Sequence, residues 1–293
     1  MITRIARRCR RTWEKNWPEV HCALRRGLPT FVLARRVSDH LDGIPVFCYH
    51  DVEADVLEAD LAFLARNEYV TLTADRLCDH LEGVSEAPRR SVVLTVDDGM
   101  ANLYEVIGPL LKRYAMHAVA FVASCFHTDT ADPGPSRPCT WDELRELVAS
   151  GHVEIQSHTH THRYVPRWPQ PAALSDFDPA MVETRRGPAQ NLEEDLRQSK
   201  STLEAQLGTT IRHLAFPCYN GTDEAIAIGR ACGFRGFWWG VLPHRPDNRP
   251  GDSLTHIVRI SAEFVRRLPG DGRAPLRSIL QARYGSAAKW WTR

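Results

Sequence analysis

From Gly43 onward, short apolar runs rich in Val, Ile and Phe alternate with stretches whose apolar residues recur every three or four positions. Seven of the short runs predict strands: Pro45–Tyr49, Val92–Val96, Ala118–Ala123, Val153–Gln156, His213–Phe216, Gly236–Val241 and His256–Ile260. They do not alternate strictly between apolar and polar, which suits strands buried on both faces of a parallel sheet or barrel. Helices fit between them. Leu103, Val106, Ile107, Leu110, Leu111 and Tyr114 make one apolar stripe. Thr140 and Glu143 read as a capping box opening a second helix, which Gly151 closes. Asn191 with Glu194 opens a third, striped by Leu192, Leu196, Leu203 and Leu207 and followed by Gly208. Strands joined mostly by helical crossovers predict an α/β protein, either a (β/α) barrel or a doubly wound sheet.

Two stretches break this rhythm. Asp129–Pro138 is a Pro/Gly loop, and Tyr164–Ala189 carries many prolines with few periodic apolar residues. So long an insertion in a compact fold is usually functional or mobile. The expected organisation is a basic N-terminal extension over 1–42, a barrel over 43–267 and a basic tail over 268–293 that ends KWWTR. The first eleven residues hold five arginines, and no acid precedes Glu14. Ile2, Ile5, Cys9 and Trp13 share one helical stripe among those arginines, a pattern that fits either a basic tail or an amphipathic helix on an anionic membrane surface. The segment lacks the apolar core and cleavage site of a secretory signal, so a cytoplasmic place, peripheral at the inner membrane surface, is expected.

Composition narrows the classes further. Charged residues make up 25% of 293, and 37 Lys+Arg against 36 Asp+Glu leave a net charge of +1, which gives no support to nucleic-acid binding. The eight cysteines form no C-x-x-C pair and several sit inside apolar runs, so they read as reduced, small hydrophobes.

Polar residues follow the strands directly: His50 the first, Asp97 and Asp98 the second, His158 the fourth, Pro217 the fifth. In parallel α/β folds these strand ends converge on one face, where sites form. SHTHTH, Ser157 to His162, holds three histidines, of which His158 and His162 are four apart. Imidazole suits zinc and other late divalent metals, provided a curled loop brings both rings together and His160 points elsewhere. TVDDG, Thr95 to Gly99, ends a buried strand with two adjacent carboxylates, which repel one another unless a cation offsets them. One carboxylate on a metal leaves the other as a base. A carboxylate-pair glycosidase is the least favoured reading, since adjacent Asp97 and Asp98 do not flank a bond at the roughly 5–9 Å that mechanism needs.

These residues resemble the polysaccharide deacetylase family, the chitooligosaccharide deacetylase homology domain. Thr95-Val96-Asp97-Asp98-Gly99 is similar to its first motif, T-F-D-D-G, and His158 to His162 to its second, H-[ST]-x-x-H. The likeness runs from about Gly43 to Ile260. It implies a distorted (β/α)7 barrel of the glycoside hydrolase/deacetylase type and metal-dependent amide hydrolysis. Asp97 would then be the base, with Asp98, His158 and His162 holding one divalent metal: zinc first, with cobalt, nickel or manganese as alternatives. The family's third motif, R-x-P-[YF], reads Ala215-Phe216-Pro217-Cys218 here, so the arginine expected to orient the base must come from elsewhere or be missing. Its late Leu-x-His has no clear counterpart. The permuted poly-N-acetylglucosamine deacetylase branch resembles the chain better, because its Tyr-His near the N-terminus matches Tyr49-His50. His50 is therefore the expected acid, with His256 or His244 as alternatives.

The Cys218 backbone N–H, after Pro217, would meet the oxyanion. Tyr219, Trp238, Trp239 and Trp141 are candidates for a sugar groove or for packing, and at most one of Trp238 and Trp239 faces the site. The resulting expectation is N-deacetylation of a glycan or glycan precursor in exopolysaccharide or envelope synthesis. The alternatives are an amidohydrolase of small formamides or cyclic amides, and a catalytically silent glycan- or metal-binding module.

Overall fold

The computed structural model describes residues 21–22, 24–25, 28–35, 41–131, 137–163, 191–219, 221–242 and 244–284. The expectations for 1–17, the whole proline-rich insertion 164–189 and the KWWTR end lie outside the described residues. No helix among the described residues is long and apolar enough to cross a membrane.

Among the described residues there are eight strands: β1 (Val46–Tyr49), β2 (Val70–Thr71), β3 (Ser91–Asp98), β4 (Ala118–Val122), β5 (Val153–Ser157), β6 (His213–Ala215), β7 (Gly236–Trp238) and β8 (Ile260–Ser261). Their spatial order is β7-β6-β5-β4-β3-β1-β8, with β2 beside β3, and the pairs are parallel. Around them run α1 (Thr30–Leu33), α2 (Ala54–Arg66), α3 (Ala74–Leu81), α4 (Gly108–Arg113), α5 (Trp141–Ala149), α6 (Leu192–Leu207), α7 (Asp223–Ala231) and α8 (Leu276–Tyr284). The chain is thus an α/β protein of the distorted (β/α)-barrel type. The curl is drawn together by one short segment. β8 pairs with β1, while Ile257, three residues upstream, bridges to Trp238 of β7.

Period-two alternation sorts the strand side chains. Phe47, Leu94, Val96, Ala120, Val122 and Ile155 pack outward under Leu57, Leu61, Leu144 and Leu196 of the surrounding helices. Val46, Val93, Val119, Phe121, Ala215 and Trp238 form a separate inner cluster with Leu77, Cys78 and Leu81 of α3. Cys48 and Asp97 continue the inner rows of β1 and β3 toward their C-terminal ends. The strands therefore deliver polar groups above an apolar floor.

Capping chemistry places the helices as the sequence predicts. The Thr140–Glu143 capping box is present, the Asn191 side chain accepts from the Glu194 N–H, and Gly208 closes α6 at φ 65°. The stripe from Leu103 to Tyr114 opens as a π-turn over Leu103–Ile107 and becomes α-helical only at Gly108. The expected strand over His256–Ile260 is broken. Leu254–His256 is a 3-10 turn, and pairing resumes at Ile260. The buried Asn248 side chain substitutes for a strand neighbour, accepting from the Val258 N–H at 2.9 Å and donating to its carbonyl at 2.8 Å. The run Gly236–Val241 is likewise strand only to Trp238. The seven described cysteines form no disulfide.

Candidate metal centre and active site

β3 carries the centre of the site. Alternation points Asp97 into the barrel and would send Asp98 the other way. Asp98 instead takes φ 76°, a left-handed conformation costly for a residue with a Cβ. Its carboxylate lies on the rim, with Oδ1 3.1 Å from His162 Nε2 and 3.6 Å from His158 Nε2. Gly99 follows at φ 77°, and a Cβ there would come within 2.8 Å of the Val122 side chain. Only glycine fits that turn.

His158 leaves the tip of β5. Its Nδ1 lies 2.7 Å from the Ala215 carbonyl, which only accepts, so Nδ1 bears the hydrogen and Nε2 keeps its lone pair. A metal-ligating histidine is oriented in this way. Burial presses the His158 pKa down to about 4, so the ring is neutral at pH 7. The loop beyond then curls through left-handed residues, Thr159 at φ 69° and His162 at φ 55°, and sets the two imidazoles 4.9 Å apart between centroids. One donor atom each from Asp98, His158 and His162 lies within 4.8 Å of the others, the one such group found among the described residues. One carboxylate oxygen and two imidazole nitrogens suit zinc or a similar divalent ion, so the residues fit the cation that the sequence predicts. Burial works to raise the Asp98 pKa, but the His162 hydrogen bond and the nearby His50, His162 and His158 rings outweigh it and hold it well below the carboxylate range. His160 turns away, with Nδ1 2.8 Å from Ser124 Oγ.

Asp97 sits beside this group, 3% exposed and gripped by Arg259. Arg259 Nη1 donates to Oδ1 at 2.6 Å and Nη2 to Oδ2 at 2.9 Å. Arg259 is itself buried between the Phe121 and Tyr219 rings, each 5.3 Å from its guanidinium carbon, and its Nε donates to the Trp239 carbonyl at 3.0 Å. Burial pushes the Asp97 pKa up, yet the Arg259 charge, helped by His158 and His50, wins and keeps the carboxyl ionised. The sequence reading gave Arg259 no role. The third motif has Ala215 in place of its arginine, and the guanidinium on Asp97 arrives from the segment that joins β7 to β8. The one available signal was an arginine inside the apolar run HIVRI, because a buried arginine requires a carboxylate.

Cys48 also reaches Asp97, its Sγ donating to Oδ2 at 3.4 Å and lying 3.5 Å from Tyr219 Oη. Burial pushes this thiol up to about 12, so it acts as a neutral donor. His50 ends β1 half-buried, near enough for its charge to lower both Asp97 and Asp98. Of the alternative acids, His244 is exposed, and His256 stacks on Trp239 with its Nδ1 2.9 Å from Thr255 Oγ1.

Pro217, Cys218 and Tyr219 form a turn beyond β6, with Cys218 at φ 57°. The Tyr219 N–H is spent on the Phe216 carbonyl at 3.0 Å, and its ring lies against Arg259. Among the other groove candidates, Trp238 is fully buried against Phe121, and Trp239 is buried with Nε1 donating to the Thr255 carbonyl at 2.7 Å. Trp141 packs edge-on to His127 at the start of α5. These three indoles are packing residues in this structure.

Comparison with known proteins bears on the whole arrangement. The polysaccharide deacetylase family model matches residues 85–237, a span that holds Asp97, Asp98, His158, His162 and Pro217 but neither His50 nor Arg259. A poly-beta-1,6-N-acetyl-D-glucosamine N-deacetylase of Escherichia coli (strain K12) is 30% identical over 125 residues, 40% of this chain and 19% of its own length. The enzyme of that name from Staphylococcus aureus (strain MRSA252) is 19% identical over 211 residues, 72% of this chain and 67% of its own. Among solved structures, IcaB from Ammonifex degensii superposes with a TM-score of 0.64 at 23% identity, covering 80% of this chain and 99% of that one. The BpsB deacetylase domain from Bordetella bronchiseptica gives 0.56 at 24%, covering 78% and 98%. At these identities the structures speak to the fold, and the family match speaks to descent. The chain belongs to the polysaccharide deacetylase family.

Proposed function

We propose that this chain hydrolyses the acetamide of an N-acetylated glycan or glycan precursor, using one divalent metal ion, zinc first among candidates, held by Asp98, His158 and His162. One observation carries the reading: three metal-type donor atoms converge beside a second, buried carboxylate that stays ionised. When bound, the ion supplies Lewis acidity toward a carbonyl oxygen and toward water.

The chain's own residues supply the proton transfers. Asp97 Oδ2 accepts from both Arg259 Nη2 and Cys48 Sγ, which leaves an open lone pair on Oδ1. At that atom Asp97 takes a proton from water as the oxygen adds to the acetamide carbon. His50, as imidazolium, gives a proton to the nitrogen as the C–N bond breaks, because an amide nitrogen is a poor anionic leaving group. Acetate and a free amine result. Arg259 is a positioning residue: its two-pronged grip fixes the carboxylate plane. The Cys218 N–H beyond Pro217 is the proposed partner of the developing oxyanion.

The names of the relatives support poly-β-1,6-N-acetylglucosamine or a precursor of it as the substrate class, in exopolysaccharide or envelope synthesis. The basic stretch 1–17 supports action at an anionic membrane surface, with a cytoplasmic location as part of the proposal. Reading the chain as a silent binding module drew on the replaced third-motif arginine, and the Arg259 contact weighs against it. The test is acetate release from β-1,6-linked N-acetylglucosamine oligomers. Wild type should release acetate and Asp97→Asn should not; equal release from both would overturn the reading.

A further inference from the structure

The loop that bears His158 and His162 holds a conformation it would not choose alone. Thr159 and His162 are both left-handed without being glycine. Its backbone polar groups are turned outward and must be satisfied by something other than strand pairing. Ser124 and Cys125 grip one side, their N–H groups donating to the Thr159 carbonyl at 3.3 Å and the His160 carbonyl at 3.1 Å. The other side is gripped by one residue of α6. Asp195 is fully buried, and its carboxylate spans the loop. Oδ1 accepts the His160 N–H at 2.8 Å, and Oδ2 accepts the Thr161 N–H at 3.1 Å together with the Thr161 hydroxyl. Both amides fall between the two proposed ligands.

We infer that Asp195 is a positioning residue for the metal centre: its carboxylate holds the His160–Thr161 amides so that the His158 and His162 Nε2 atoms meet one cation. A carboxylate suits this place because both oxygens only accept, and all three partners donate. An asparagine would present an NH2 group to at least one of them, setting donor against donor. A buried carboxylate left without these donors would be costly, which explains why the helix and the loop are fixed together. Ser199, one turn further along α6, adds a second tie, with Oγ 2.8 Å from Ser157 Oγ at the root of the loop.

The inference rests on the proposed metal centre, and the experiment separates the two. The probe is Zn2+ or Co2+ alone, titrated into the purified full chain against a chromophoric chelator, with the Co2+ absorption spectrum as a second readout. Wild type should bind one ion. Asp195→Asn should bind it about 10- to 100-fold more weakly, the usual scale for loss of an outer-shell partner, with an altered Co2+ spectrum. Thr161→Val deletes only the hydroxyl donor and should weaken binding by a smaller factor, which keeps the test available if Asp195→Asn fails to fold. Leu203→Ala, a buried core change on the same helix, should lower thermal stability and leave the affinity and spectrum unchanged. Wild-type affinity and spectrum in a folded Asp195→Asn, or in Thr161→Val if Asp195→Asn does not fold, would overturn the inference while leaving the metal centre intact. A wild-type chain that binds no ion would overturn both.

Discussion

Arg259 and Asp97 are 162 residues apart, yet they form a two-pronged ion pair, at 2.6 and 2.9 Å, that solvent does not reach. Such a pair is costly to bury and more costly to break, because removing one partner strands a charge in the interior. It lies beside the proposed metal ligands, and the proposed function gives it a positioning role.

Arg259→Met should therefore cost about 3–5 kcal/mol of stability, the range for an orphaned buried charge, and Arg259→Met with Asp97→Asn should recover much of that loss. Urea unfolding of the two single variants and the double variant measures the coupling. Arg259→Lys restores charge but not the planar fork, so it should keep KM and metal content while kcat falls. Full kcat in that variant would remove the positioning role.

His50→Ala should retain the metal and lose turnover by about 10²–10⁴-fold, the usual contribution of a general acid. Metal content and acetate release, measured on the same preparation, check both halves. An active variant would move the acid role to His256 or His244.

Asp60 makes stability depend on pH. Burial raises its pKa from 3.8 to about 7, and the Tyr49 hydroxyl donates to it at 3.0 Å. Arg266, at 3.1 Å, is 42% exposed and too solvated to offset the burial. The folded chain therefore holds this proton more tightly than the unfolded one. The stabilisation is fully present below about pH 4 and is lost as pH rises through about 7, at a scale of up to about 4 kcal/mol. Asp60→Asn should flatten that slope and unfold later than wild type at pH 8. An equal fall in urea-unfolding stability between pH 5 and pH 8 in wild type and Asp60→Asn would contradict the assignment.

Much of the fold was readable because its signals are local. Runs of Val, Ile and Phe mark β1 and β3 to β6, and the Thr140 and Asn191 caps mark α5 and α6. The two-residue β2 is too short to leave a period. α3 and α7 are marked in sequence only by the single caps Thr73 and Thr222, which accept from the Arg76 and Ala225 N–H groups. In the site, Asp97, Asp98, His158 and His162 stand out because they fall in two dense motifs at or just beyond the tips of β3 and β5. Arg259 and Asp195 do not. Their roles depend on contacts 162 and 34–35 residues away in sequence, which no spacing rule encodes. For Trp238 and Trp239 the sequence leaves groove and packing open, and the fold decides it: both lie near the rim in sequence but are buried in the core.

The account stands or falls on a shared cation at the tips of β3 and β5. Metal content per chain, measured by inductively coupled plasma mass spectrometry on wild type, Asp98→Ala, His158→Ala and His162→Ala after equal loading, addresses it most directly. The account predicts one divalent ion in wild type and near-complete loss in each variant. Full occupancy in the variants, or none in wild type, would contradict it.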